Sequence, residues 1–108
     1  MPDQTGWIAR GAGTPDGFTV TKAGVSDRQH IVYGIDVGLS EAGIALVTMK
    51  DGTSTAWEQY VHNGEKFPFA KGIPMTKGNA VNVTVASIAT TGGSPDSIVA
   101  INLHGSTF

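Results

Sequence analysis

Hydrophobic and polar positions alternate along short stretches of this chain, and no long stretch repeats at helical spacing. From Ala80 to Thr90, Val81, Val83 and Val85 fall on one face, with Asn82, Thr84 and Ala86 on the other. A period of two marks a half-buried strand. From Arg28 to Gly38 the same period puts Ile31, Tyr33, Ile35 and Val37 on one face and His30, Val32, Gly34 and Asp36 on the other. Ser97 to Gly105 turns Val99, Ile101 and Leu103 inward. Lys66 to Ala70 sets Phe67 and Phe69 on one side with Pro68 between them, which predicts an edge strand or a bulge.

The stretch from Thr48 to Val61 sets the register. Ile44 to Met49 is apolar and partly β-branched, and Thr53 to Trp57 leads from hydroxyls into a large aromatic. Between them Asp51-Gly52 is a dipeptide that accepts positive φ at both central positions, so a type I′ hairpin turn is predicted there. Trp57 and Val61 share one face of the second arm, while Tyr60 and His62 share the other. A one-residue slip would move Trp57 across the sheet, and Trp57 is expected in the core. Asn63-Gly64 predicts a second turn, Gly72 to Asn79 and Thr91 to Asp96 read as loops, and Leu39 to Gly43 is a connection too short for a helix.

Residues 1–26 are punctuated by glycine rather than periodic. Trp7-Ile8-Ala9 and Phe18-Thr19-Val20-Thr21 are short apolar islands. They read either as first strands joined by long loops or as an arm that orders on a partner. The division is therefore an N-terminal segment, 1–26, and a domain, 27–108. Counting gives seven or eight strands with turn signals about every ten residues, the pattern of two packed antiparallel sheets. The expected class is all-β: an antiparallel β-sandwich, jelly-roll-like.

Composition supports this class and narrows the function. The chain has 108 residues, enough for one domain, and only 15% are charged, below the usual quarter. A lightly charged surface fits either a Ser/Thr-rich domain or one whose surface is covered in use. The net charge of −2, with scattered Arg and Lys, offers no footprint for nucleic acid or an anionic membrane. There is no cysteine for a disulfide or thiolate site. No apolar run approaches the ~20 residues of a membrane span. The polar start Met-Pro-Asp-Gln-Thr-Gly lacks the apolar region of a secretory signal, so synthesis in a cytoplasm is expected.

Motifs for chemistry are sparse. Gly11-Ala12-Gly13 lacks the third glycine of a dinucleotide fingerprint, and Gly38-Leu39-Ser40-Glu41-Ala42 departs from the nucleophile elbow at its last position. His30, His62 and His104 read as three independent side chains, with Asp36 on the face of His30 as a hint of an acid–imidazole pair. A hydrolase would need Asp36, Glu41, Glu58 and Glu65 to converge, and their spacing does not ask for it. No enzyme activity, metal or cofactor is expected. Asn82-Val83-Thr84 matches a glycosylation sequon without a secretory signal beside it. Trp7, Trp57 and Tyr60 are the aromatics that sugar rings would stack on.

Several stretches together resemble small β-rich virion proteins of tailed bacteriophages. They are Val32-Tyr33-Gly34-Ile35, the Lys50 to Trp57 hairpin with its tryptophan arm, Gly78-Asn79-Ala80-Val81-Asn82-Val83-Thr84, and Val99 to Gly105. The resemblance covers residues 28 to 105. It implies a head decoration (cement) protein, less often a tail or fibre component, built as a jelly-roll-like sandwich and working as a homotrimer on the major capsid protein within a virion. It offers no catalytic residues. Trp7, Ile8, Phe18 and Phe108 are the expected interface anchors, because aromatics near an interface centre carry much of its energy. The alternative is a tail, fibre or carbohydrate-binding module that recognises a host glycan.

Overall fold

The computed structural model describes residues 5–13, 19–39, 44–62, 65–89 and 99–108. Phe18, Glu41, the Asn63-Gly64 turn and the Thr91 to Asp96 loop lie outside them. Eight strands run in order: β1 (Thr5–Gly13), β2 (Thr19–Lys22), β3 (His30–Leu39), β4 (Ile44–Asp51), β5 (Ser54–Val61), β6 (Glu65–Pro74), β7 (Val81–Ala89) and β8 (Val99–Thr107). The two sheets have the orders β1-β8-β3-β6 and β2-β7-β4-β5. The pairs β1–β8, β2–β7, β3–β6 and β4–β5 are all antiparallel and nested, so the chain doubles back as one long hairpin. The further pairs β3–β8 and β4–β7 roll that hairpin into two layers. This is a jelly roll, as the alternation and turn spacing lead one to expect. The islands at Trp7 and Thr19 fall within β1 and β2, both at sheet edges.

The core lies between the layers. Val32, Ile35, Val37, Val99, Ile101 and Leu103 enter from one sheet, and Val47, Met49, Val61, Val81, Val83 and Val85 from the other. Each such burial contributes about 1.5–3 kcal/mol. The inward faces of β7 and β8 are those the alternation predicts.

The pairing is interrupted at three places among the described residues, one of them at Ile88 of β7 opposite Ile44 and Ala45, and the other two correct the expected register. In β3, pairing with both neighbours shifts between Val32 and Gly34. Tyr33 is the extra residue, so His30 and Val32 point inward with Ile35 and Val37, while Ile31 and Tyr33 leave the core face. Opposite Tyr33, residues 69–72 of β6 bow out. In β5, Met49 pairs with Trp57 and Lys50 with Thr55, which leaves Ala56 unpaired. The turn alone would set Ala56 opposite Met49. The bulge advances the strand by one residue and turns Trp57 toward the core.

The hairpin turn also differs from the type I′ expectation. Asp51 pairs with Ser54, so Gly52 and Thr53 are the central residues. Gly52 has φ of 63°. Positive φ at the first central position alone is the pattern of a II′ turn. Asp51 is thereby freed from the turn for another use. The Gly72 to Asn79 loop begins later than expected. Gly72 to Pro74 still belongs to β6, with Ile73 opposite Val32. Met75 is buried, its N–H bonded to the His30 carbonyl at 2.9 Å. The edge position of β6 agrees with Pro68, because proline cannot complete a central ladder.

Candidate functional site

Three polar arrangements stand out. The first is a hub beneath β1. His30 is buried, with Nε2 2.7 Å from the Ala23 carbonyl and Nδ1 2.7 Å from Thr107 Oγ1. A carbonyl only accepts, so Nε2 carries a proton. The Trp7 ring meets the imidazole edge-on at 5.5 Å. Lys22 Nζ lies 5.6 Å from the Trp7 ring centroid, within cation–π range. Trp7 also lies flat against Gly105, where an added Cβ would stand 2.6 Å from the indole Cη2 and 2.7 Å from the Ile31 carbonyl oxygen. Next to the hub, Phe108 and Gln29 exchange backbone hydrogen bonds at 2.8 and 3.0 Å.

The second is a clamp at the hairpin end. The Asp51 carboxylate accepts the Thr76 N–H at 2.9 Å, the Thr76 hydroxyl at 2.7 Å and the Asn79 side-chain amide at 3.0 Å. Burial alone would raise its pKa. The Thr76 hydroxyl and N–H and the Asn79 amide outweigh that and hold it below the ordinary aspartate value. The clamp ties the β4–β5 turn to the β6–β7 connection and is structural in character.

The third is the outer face of the β1-β8-β3-β6 sheet. Asp36 Oδ2 lies 3.2 Å from His104 Nε2. Because of the β3 bulge, Asp36 points outward and His30 inward, so the imidazole beside Asp36 is His104 rather than His30. Tyr33, Gly34, Asp36, Lys66, Pro68 and His104 line a shallow hollow of about 300 Å³. A second hollow of about 330 Å³ continues past Asp36 toward Gly38, Ala100 and Asn102. Glycine and alanine form its floor, and the polar side chains stand above it.

Of the other sequence candidates, Glu65 lines the second hollow with Asp36, and the rest disperse. His62 bonds Glu65 through its ring Nδ1 at 3.2 Å and also through its backbone N–H. Glu58 accepts the Thr48 hydroxyl at 2.7 Å on the outer face of the other sheet. Asp36 and Glu58 therefore do not converge. No group of three His, Asp or Glu side chains suited to a metal occurs among the described residues. Trp57 is half-buried against Phe67 and Phe69, so Tyr60 is left as the exposed aromatic of that strand. Of the expected anchors, Trp7 and Phe108 are half-buried within the fold, and Ile8 is 53% exposed on edge strand β1. The sequence marks His104 only as an independent side chain, and it does not single out Asn102 or Lys66. The alternation of β8 already sets Asn102 and His104 on one outward face, but only the strand order brings Asp36 beside them.

No helix is long and apolar enough to cross a membrane among the described residues. No protein-family model matches the chain, and no curated protein matches it. Among solved structures, it is similar to the CBM36-1 domain of a multidomain xylanase from the hindgut metagenome of Trinervitermes trinervoides. The TM-score is 0.51 at 12% identity, over 95% of both chains. A weaker likeness, TM-score 0.43 at 13% identity, is to a chain of the T13 IBDV viral particle, and it covers 97% of this chain and 31% of that one. The first shows a shared β-sandwich architecture, and the second lies below the level at which a shared fold follows.

Proposed function

We propose that the chain is a non-catalytic structural protein of a virion: a decoration (cement) protein that sits as a homotrimer on the major capsid protein of a phage head. The observation that supports this reading best is the character of the sheet edges. Exposed edge strands normally carry charges, proline or a short length that discourages pairing with other chains. β6 has Lys66, Lys71 and two prolines, β2 has four residues, and β5 carries Glu58 and the bulge at Ala56. β1 runs nine residues with Arg10 as its one charge, and exposes Ile8. An unguarded edge of this kind suits a surface that another protein covers, and the low overall charge and the sequence resemblance point the same way. Light scattering should give three times the 11.2 kDa monomer mass, and the protein should co-sediment with undecorated heads. Ile8→Lys should weaken head binding tenfold or more without unfolding the domain. A monomer that ignores heads would overturn the proposal.

A second reading, a carbohydrate-binding module or tail-fibre element that recognises a host glycan, is favoured by the open polar face around Asp36 and His104. The similarity to a carbohydrate-binding domain is at the level of fold.

A further inference from the structure

The strand register places four polar side chains in one row across the outer face of the first sheet. Arg10 of β1 pairs with Asn102 of β8, Asn102 with Asp36 of β3, and Asp36 with Lys66 of β6. The next row is Ile8, His104, Gly34 and Pro68. The row on the other side holds Ala12, Ala100 and Gly38. Apart from His104, the polar row is bordered by small or apolar residues, and the two hollows lie along it. Tyr33, pushed outward by its bulge, is 39% exposed at one end.

The chemistry of this row is specific. Asp36 bonds His104, whereas Arg10, Asn102 and Lys66 make no side-chain hydrogen bond or ion pair among the described residues. Planar amide, guanidinium and carboxylate groups held on strands offer paired donors and acceptors, which suit vicinal hydroxyls. An exposed tyrosine ring beside them offers a flat apolar surface for the carbon face of a sugar ring. The floor of glycine and alanine leaves room for a chain to lie across the strands. Arg10 and Lys66 bring two positive charges to the face, and Asp36 with Glu65 at the margin brings two negative ones, so the face is mixed in sign with no net bias.

We infer that this row is a binding site for a saccharide chain, lying across β1, β8, β3 and β6. The inference rests on the second reading above, and it is compatible with the first. The test is an amide NMR titration of the intact chain with an oligogalacturonate and, separately, with xylohexaose. Saturable shifts centred on Arg10, Gly34, Asp36, Asn102 and His104 are expected with at least one of the two probes. Asn102→Ala and Tyr33→Ala should each weaken binding about fivefold while leaving the dispersed spectrum of a folded domain. Flat titrations with both probes, or shifts confined to other surfaces, would overturn the site. Glycan binding by a protein that also decorates heads supports both readings, and head binding without glycan binding rejects this site alone.

Discussion

Where β5 meets β6, Trp57 packs against Phe67 and Phe69 with ring centroids 5.2 and 5.5 Å apart. Where β1 meets β2, the gap between the sheets is filled by Trp7, His30 and Lys22, with His30 alone fixed by bonds to Ala23 and Thr107. Both seams close the same sandwich, but by different physics. Ring packing is non-directional, and its strength follows the area and volume filled. The polar hub is directional, so a residue of equal size but wrong chemistry leaves buried groups without partners. One seam is thus sensitive to volume and the other to atom type.

The largest effect should come from emptying the aromatic seam. Trp57→Ala is expected to cost about 4 kcal/mol, the range for removing a large aromatic, read as a fall in the urea midpoint. Trp57→Phe, which keeps most of the volume, should cost about 1 kcal/mol. Equal losses from the two would erase the contrast.

At the hub, His30→Leu preserves bulk but strands the Ala23 carbonyl and the Thr107 hydroxyl. A loss of about 2 kcal/mol is expected. Thr107→Val should cost about 1 kcal/mol alone and less in the His30→Leu background, because the two share one hydrogen bond. Strict additivity of the pair would show that the bond does not matter.

The smallest effect concerns the Asp51 clamp, which belongs to neither seam. Asp51→Asn should cost about 1 kcal/mol near neutral pH. The folded-state pKa lies below the unfolded value. The stabilisation is therefore complete above the unfolded pKa and fades as pH falls through the lower folded one. Thermal melts of the two proteins should differ at pH 6, and the gap should shrink as the pH is lowered past the ordinary aspartate range. A gap that persists in acid would mean that the carboxylate charge is not what Thr76 and Asn79 recognise.

Much of the fold was legible because Val81, Val83 and Val85 of β7 and Val99, Ile101 and Leu103 of β8 alternate strictly with outward residues. Pro68 correctly marked an edge. The bulges at Tyr33 and Ala56 were not legible, because an inserted residue has no composition of its own and shows only as a change of phase against a partner strand. Asp51-Gly52 marked the hairpin, but the dipeptide alone does not decide which residues are central. The outer-face row was still less accessible. Arg10, Asn102, Asp36 and Lys66 are far apart in sequence, and only three successive non-local pairings bring them into line.

The nested pairing also sets an order of events. Asp51 meets Ser54 across one tight turn, Ile31 meets Pro74, and Thr5 meets Thr107. Closure of distant segments costs more chain entropy than closure of near ones. Zipping should therefore start at the central hairpin and spread outward, slowly by the standards of small domains. On a ribosome, β1 would wait, its apolar side uncovered, until β8 had emerged to receive it.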